Sequence, residues 1–247
     1  MKPKVSVFIQ ARMGSTRLPG KVLKELVGKS VIQHIVDRLR YSKYLNGFVI
    51  VTSKESRDQV LIEKAKSLGV GGFAGSEQDV LNRYYEASRV FPADHIVRVT
   101  ADCPLIDPVF VDAMIEAHLK NKNQYTSFIF KEYPNGIGAE IFRTEDLEAI
   151  EKAAREPHER EHVTPYFYLH PEKFKLEFID PVPLIRRPDL RLTLDTAEDL
   201  ALVREIYGAL YEEGKIFTTR DIVRFLDERP ELLKLNQHVK QKPLIST

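Results

Sequence analysis

The sequence predicts an α/β fold of three layers, with a mostly parallel sheet covered by helices on both faces. Three observations lead there. Over the first 120 residues, short runs rich in Val and Ile alternate with amphipathic helix patterns. Strands separated by helices need crossover connections, and these place helices on both sheet faces. The chain is 247 residues long and 43% apolar, so it can bury roughly three quarters of its unfolded surface without covalent staples. Its single cysteine, Cys103, excludes an internal disulfide framework and fits a reducing compartment.

Element by element, strand patterns fall at residues 5–9, 48–52, 70–73 and 96–100, bounded by turn residues. Between them, Ser30 is placed to N-cap a helix whose face is Ile32, Ile35, Val36 and Leu39. Val60, Leu61, Ala65 and Leu68 stripe the next helix, which should stop at Gly69. Two more helices are expected over 78–91 and 108–119. The middle of the chain changes character. Residues 125–130 and 137–142 form an antiparallel-looking pair joined by a Pro134-Asn135-Gly136 turn. Helices over 144–155 and 157–169 and a strand at 174–179 follow. Pro181, Pro183 and Pro188 mark a loop before a strand at 190–194. Helices over 196–214 and 219–227 precede a basic, polar tail, 234–247, expected to be extended. The expected organisation is a single domain over 1–230 with an antiparallel insert at about 125–185, and a tail over 231–247.

Charge and hydropathy narrow the function classes. With 37 Lys and Arg against 36 Asp and Glu, the formal net charge is +1, which supplies no field for non-specific nucleic-acid binding. The apolar run at 5–9 is too short for a signal peptide, and no stretch approaches the ~18 apolar residues of a membrane helix. The expectation is a cytoplasmic protein with no membrane insertion and no nucleic-acid partner.

Three segments carry chemistry. The first strand runs into Gln10-Ala11-Arg12-Met13-Gly14-Ser15-Thr16-Arg17-Leu18-Pro19-Gly20-Lys21. This loop leaves the carboxyl end of a strand, where open α/β sheets bind ligands. Glycines let backbone N–H groups approach an anion, and Arg offers forked donors that match phosphate oxygens. The spacing from Gly14 to Gly20 and the residue Val22 set it apart from a Walker A loop. Asp102 sits just past the fourth strand, where a carboxylate can hold Mg²⁺ against a phosphate. Nearby Asp107 reads as the N-cap of the following helix. Asp195 ends the strand expected at 190–194, while Thr196 and Asp199 form an acidic variant of the capping box. A cap role for Asp195 itself stays open at this point. His158-Glu159-Arg160-Glu161-His162 matches the HExxH pattern of zinc proteases. Pro157 and Pro165 bracket it too closely for a sustained metal-binding helix, so a polar, substrate-contacting helix is the better reading.

With these segments in view, the sequence resembles the cytidylyltransferase family that makes CMP-activated acidic sugars, including CMP-Kdo synthetases and acylneuraminate cytidylyltransferases. Within it, the resemblance is greatest to the branch named for spore coat polysaccharide biosynthesis protein F. The matching stretches are 9–23, 75–84, 99–106, 135–140, 159–166 and 191–200. The resemblance implies a Rossmann-like nucleotide-diphospho-sugar transferase fold, Mg²⁺ as cofactor, CTP and an acidic sugar as substrates, and a homodimer built through the antiparallel insert. It implies catalytic roles for Arg12, Lys21, Asp102 and Asp195, with Asp102 and Asp195 holding the metal. Ala11, Arg12, Gly14, Ser15, Arg17 and Lys21 would surround the triphosphate, and Ser76 and Arg83 the base and ribose. Asn135, Gly138, Glu140, Glu161 and His162 would face the sugar. Two other readings stand beside it: a glycosyltransferase that consumes a nucleotide sugar, and a non-catalytic nucleotide-binding member.

Overall fold

A computed structural model describes residues 2–129, 131–180 and 182–241. The end of the strand expected at 125–130, Pro181 in the proline-rich loop, and the end of the expected tail, 242–247, lie outside the described residues.

The chain begins with β1 (Val5–Gln10), a small hairpin of β2 (Glu25–Leu26) and β3 (Lys29–Ser30), and α1 (Val31–Leu39). Then come β4 (Leu45–Ser53), α2 (Gln59–Ser67), β5 (Gly71–Gly75), α3 (Val80–Val90), β6 (His95–Thr100) and α4 (Pro108–Asn121). The middle contributes β7 (Tyr125–Phe128), β8 (Glu140–Arg143), α5 (Thr144–Ala153), α6 (Pro157–His162), α7 (Pro165–Leu169) and β9 (Leu176–Ile179). The helices α8 (Ala197–Leu210) and α9 (Thr219–Glu228) close the order.

Seven strands form one sheet in the order β5-β4-β1-β6-β8-β7-β9. The first four are parallel, with Val7 facing Phe48 on one side and Val97 on the other. β8 runs antiparallel to both β6 and β7, and β9 is parallel to β7. The strand alternation expected of a doubly covered sheet is visible in β1. Val5, Val7 and Ile9 join a core with α1, α4, α8 and α9, while Phe8 joins a second core with α3, α5 and α7. The three-layer α/β prediction holds. Because β4 and β5 lie on one side of β1 and β6 on the other, the connections diverge between β1 and β6. Ligands bind at the carboxyl ends of strands at such a switch point.

Several elements differ from the sequence expectation for physical reasons. Residues 190–194 are not a ladder strand. Leu190, Leu192 and Leu194 are buried as the period-2 pattern predicts, but the backbone joins no ladder: it meets Asn135 through one isolated bridge, and the Leu194 amide donates to the carbonyl of Asp102. Gly136 makes that approach possible. At φ +105°, a Cβ there would fall 2.2 Å from the Thr193 amide nitrogen. The helix expected over 157–169 breaks into α6 and α7 at Val163, which adopts φ +72°. Val60 faces solvent rather than the core of α2, whose inward face is Leu61 and Ala65. Ser30 stands at the N-cap position of α1, yet its hydroxyl makes no capping bond. The helix expected to run to Gly214 ends at Leu210. The tail is not extended from 234: residues 230–235 form a 3₁₀ turn and Asn236 is buried. Among the described residues, no helix is long and apolar enough to cross a membrane.

Candidate active site

A cavity of about 820 Å³ opens at the carboxyl ends of β1 and β6. Such a volume lies within the range of roughly 300–1,000 Å³ typical of small-ligand sites. Three walls enclose it: the loop after β1, the turn after β6, and the starts of α3 and α6.

The loop after β1 folds back on itself. The Ser15 and Gly20 amides both donate to the Met13 carbonyl, at 2.9 and 3.2 Å, and the Leu18 amide donates to the Ser15 hydroxyl. Gly20 takes the left-handed conformation at φ +65° that this reversal requires. Buried Asp58 anchors the loop from below. Its carboxylate accepts from the Met13 amide at 2.7 Å and from the Ser53 hydroxyl. Arg12, Gly14, Ser15, Arg17 and Lys21 all line the cavity, as does Ala11 at the loop's root. Nothing in the local sequence around Asp58 marked it. Its role depends on a partner 45 residues away, which periodicity does not report.

Lys21 is the centre of the site. Its ammonium lies 2.9 Å from Asp195 Oδ1 and 3.3 Å from Asp102 Oδ2. The two strand-end aspartates, 93 positions apart by number, thus meet on one cation. The backbone explains how: the Leu194 amide donates to the Asp102 carbonyl at 2.8 Å, holding the 190–194 segment beside the β6 turn. Asp195 also binds Arg17 at 2.9 Å and Arg191 at 3.0 Å, and Asp102 accepts from the Thr100 hydroxyl at 2.6 Å. Burial alone would depress the Lys21 ammonium, but the carboxylates of Asp102 and Asp195 outweigh it and raise its pKa. Burial pushes the Asp195 carboxyl the other way; Lys21, Arg17 and Arg191 overcome it and hold the acid ionised below its ordinary range. A cap role does not account for Asp195, because Thr196 and Asp199 complete the capping box of α8 themselves.

The donor set suits a divalent cation of the magnesium type. Mg²⁺ takes one or two carboxylates and fills its octahedron with water and phosphate oxygens. Asp102 and Asp195 already share one positive charge, and their cavity side faces the basic loop. Among the described residues no cluster of three or more metal-ligating side chains exists, so an all-protein cage of the zinc type is not built here.

The far wall is less uniform. Glu161 and His162 on α6 line the cavity, beside Glu77, Gln78, Asp79 and Arg83. Arg83 is buried and donates to the carbonyls of Ser76 and Glu77, so it shapes the rim of the 76–79 loop. Burial lowers its pKa from the usual arginine value. Ser76 does not reach the cavity; its hydroxyl accepts from the Asp79 amide at 3.0 Å. Two expected sugar-facing residues are also used elsewhere. Asn135 bridges to residue 191 and donates its amide to Gln241. Glu140 is buried under the sheet end, paired with Arg98 and accepting from Tyr125 at 2.6 Å and Thr164 at 2.7 Å. The HExxH segment is no protease helix: Glu159 accepts the backbone amides of Arg155 and Glu156 and caps the six-residue α6.

Residues 6–229 match the family model described as cytidylyltransferase. An uncharacterized protein of Methanocaldococcus jannaschii is 38% identical over 97% of both chains. The spore coat polysaccharide biosynthesis protein SpsF of Bacillus subtilis is 34% identical over 91% of this chain and 94% of its own. Among solved structures, a cytidylyltransferase from Leptospira borgpetersenii superposes with a TM-score of 0.89 at 33% identity, covering 97% of this chain and 100% of its own. A CMP:2-keto-3-deoxy-manno-octonic acid synthetase complexed with CTP shares the fold at a TM-score of 0.62 and 18% identity, over 83% of this chain and 98% of its own. Matched to the family model over residues 6–229, and to the spore coat relative over nearly its whole length, the chain belongs to the cytidylyltransferase family and is a nucleotidyltransferase.

Proposed function

We propose that the protein transfers CMP from CTP to an acidic sugar of the 2-keto-3-deoxy or acylneuraminate type, with release of pyrophosphate, in surface polysaccharide biosynthesis. The observation that carries this reading is the Lys21 ammonium held between Asp102 and Asp195 on the floor of a cavity whose opposite rim is polar. Relatives named for cytidylyl transfer to 3-deoxy-manno-octulosonate, and the spore coat relative, support the choice of nucleotide and acceptor class.

In this mechanism an acceptor hydroxyl attacks the α-phosphorus in line and releases its proton to solvent, the bond to the bridging oxygen breaks, and pyrophosphate leaves with the electron pair of that bond. The protein's part is positioning and charge stabilisation. Arg12 and Arg17 offer forked donors to the outgoing phosphates, and Lys21 supplies a point charge. Ser15 and Gly14 keep the loop close enough for its backbone to approach an oxygen. Asp102 and Asp195 would hold Mg²⁺, which when bound neutralises phosphate charge and acidifies the attacking hydroxyl. Glu161 and His162 on α6 stand where the acceptor would be oriented. Exposed Phe178, Val182 and Leu184, on and beside edge strand β9, support a homodimer assembled through this region.

The test is pyrophosphate release from CTP and Mg²⁺ against a panel of 2-keto-3-deoxy and nonulosonic acids. Release that depends on one acid and on CTP supports the reading. Consumption of a preformed nucleotide sugar, or no turnover with any nucleotide, overturns it in favour of a glycosyltransferase or a non-catalytic member.

A further inference from the structure

The segment that follows α9, beyond the span matched to the family, returns to Arg191 and Asp199, the first of which contacts the Asp195 carboxylate. Asn236 is 2% exposed, and its side-chain amide donates to the Arg191 carbonyl and to Asp199 Oδ1, each at 2.9 Å. Gln241 accepts from Arg191 Nη1 and from the Asn135 amide. These two residues therefore close a frame around Arg191 and Asp199. Within it, Arg191 Nε and Nη2 donate to both oxygens of Asp199 at 2.8 and 3.0 Å, and Nη2 also reaches Asp195 Oδ2 at 3.0 Å. Asp199, fully buried, accepts the Asp195 and Thr196 amides as well.

We propose that Asn236 and Gln241 are positioning residues: the C-terminal segment fixes Arg191 and Asp199, and through them sets the Asp195 carboxylate that faces the phosphate site. The inference rests on the metal-assisted cytidylyl transfer proposed above. Its physical basis is donor accounting. Without the Asn236 amide, a buried carboxylate and a buried carbonyl each lose a donor, and the guanidinium shared by Asp195 and Asp199 shifts toward the one left short. Asp195 then turns to Lys21 and Arg17, the same cations that the triphosphate needs.

The experiment compares the unmodified protein with Asn236→Leu, which keeps the branched shape and removes both donors, and with Gln241→Ala. The readout is the Mn²⁺ concentration that gives half-maximal CTP binding by calorimetry, together with kcat, the KM for the acceptor and the melting temperature. Asn236→Leu should raise the Mn²⁺ requirement about tenfold, within the range of outer-shell partners of metal ligands, and lower kcat while leaving the acceptor KM unchanged. Gln241 is exposed, so its variant folds even where Asn236→Leu does not; it should raise the requirement about threefold. A lowered melting temperature with a wild-type Mn²⁺ requirement and kcat in the folded variants overturns the inference, because a merely structural role predicts that pattern. If the unmodified protein binds CTP without any dependence on Mn²⁺, the proposed metal role of Asp195 falls first and this inference with it.

Discussion

Strand β6 carries a polar cluster at each end, and the two are built on opposite principles. At its start, His95 Nδ1 lies 3.1 Å from His118 Nε2, His118 Nδ1 lies 3.0 Å from the Thr126 hydroxyl, and Asn123 donates to that hydroxyl at 3.1 Å. Both histidines are held neutral. Burial lowers each pKa, that of His118 to about 3. Past the strand's other end, Asp102 and Asp195 share Lys21 with charge on every member and an open cavity beside them. A buried polar cluster that has neutralised and paired its groups contributes stability. One that keeps concentrated charge next to open volume is arranged to meet a charged ligand.

The largest effect is expected at Asp102. Asp102→Ala should lower turnover roughly a thousandfold, because one of the two carboxylates proposed to hold the metal is gone. Its melting temperature should stay near that of the wild type, since the side chain is 30% exposed and no core volume is lost. Retained activity in a steady-state assay would refute the metal assignment. At the other end the pattern should invert. His118→Leu leaves His95 and Thr126 short of a partner and should cost about 3 kcal/mol in denaturant unfolding. The kcat of the folded variant should change less than twofold.

The same histidine gives a pH dependence with a definite sign. The unfolded chain takes up its proton near pH 6.5, while folded His118 does so only near 3, so unfolding binds a proton in between. Stability from this group is complete above about pH 6.5 and is lost as the pH falls toward 3. Urea midpoints across that range should decline less steeply in His118→Leu; parallel slopes would count against the buried neutral pair.

Smaller effects are expected at the charged end. Arg17→Lys replaces a fork by a point charge and should weaken CTP binding about tenfold, while leaving the Asp195 pairing partly intact. Unchanged nucleotide affinity would remove Arg17 from the phosphate site. Glu159→Gln should cost about 1 kcal/mol through the α6 cap and leave turnover unaltered. A large loss of activity would restore a chemical role to the HExxH segment.

The charged end was legible in the sequence because its residues are exceptional where they stand. Arg12, Arg17 and Lys21 follow directly on an apolar strand, and Asp102 follows another. The sheet was legible for a related reason: β1, β4 and β6 are runs of Val and Ile with little else to do. What the sequence concealed was settled by contacts between distant segments. Residues 190–194 alternate like a strand and bury their leucines, but Gly136 and Asp102 receive that backbone instead of a ladder. Asn135 and Glu140 have the chemistry of sugar ligands, yet Gln241, Arg98, Tyr125 and Thr164 take up their polar atoms. Asp58 and Asn236 gave no local signal, since each acts on a loop more than 40 residues away.

Lys21, Asp102 and Asp195 are proposed to form a metal-triphosphate site for CTP. Calorimetry of CTP, UTP, ATP and GTP binding, with and without Mg²⁺, in wild type and Asp102→Ala tests it most directly. Selective CTP binding that requires Mg²⁺ and is lost in the variant is the expected result. Binding that ignores Mg²⁺, or that survives unchanged in Asp102→Ala, would contradict it.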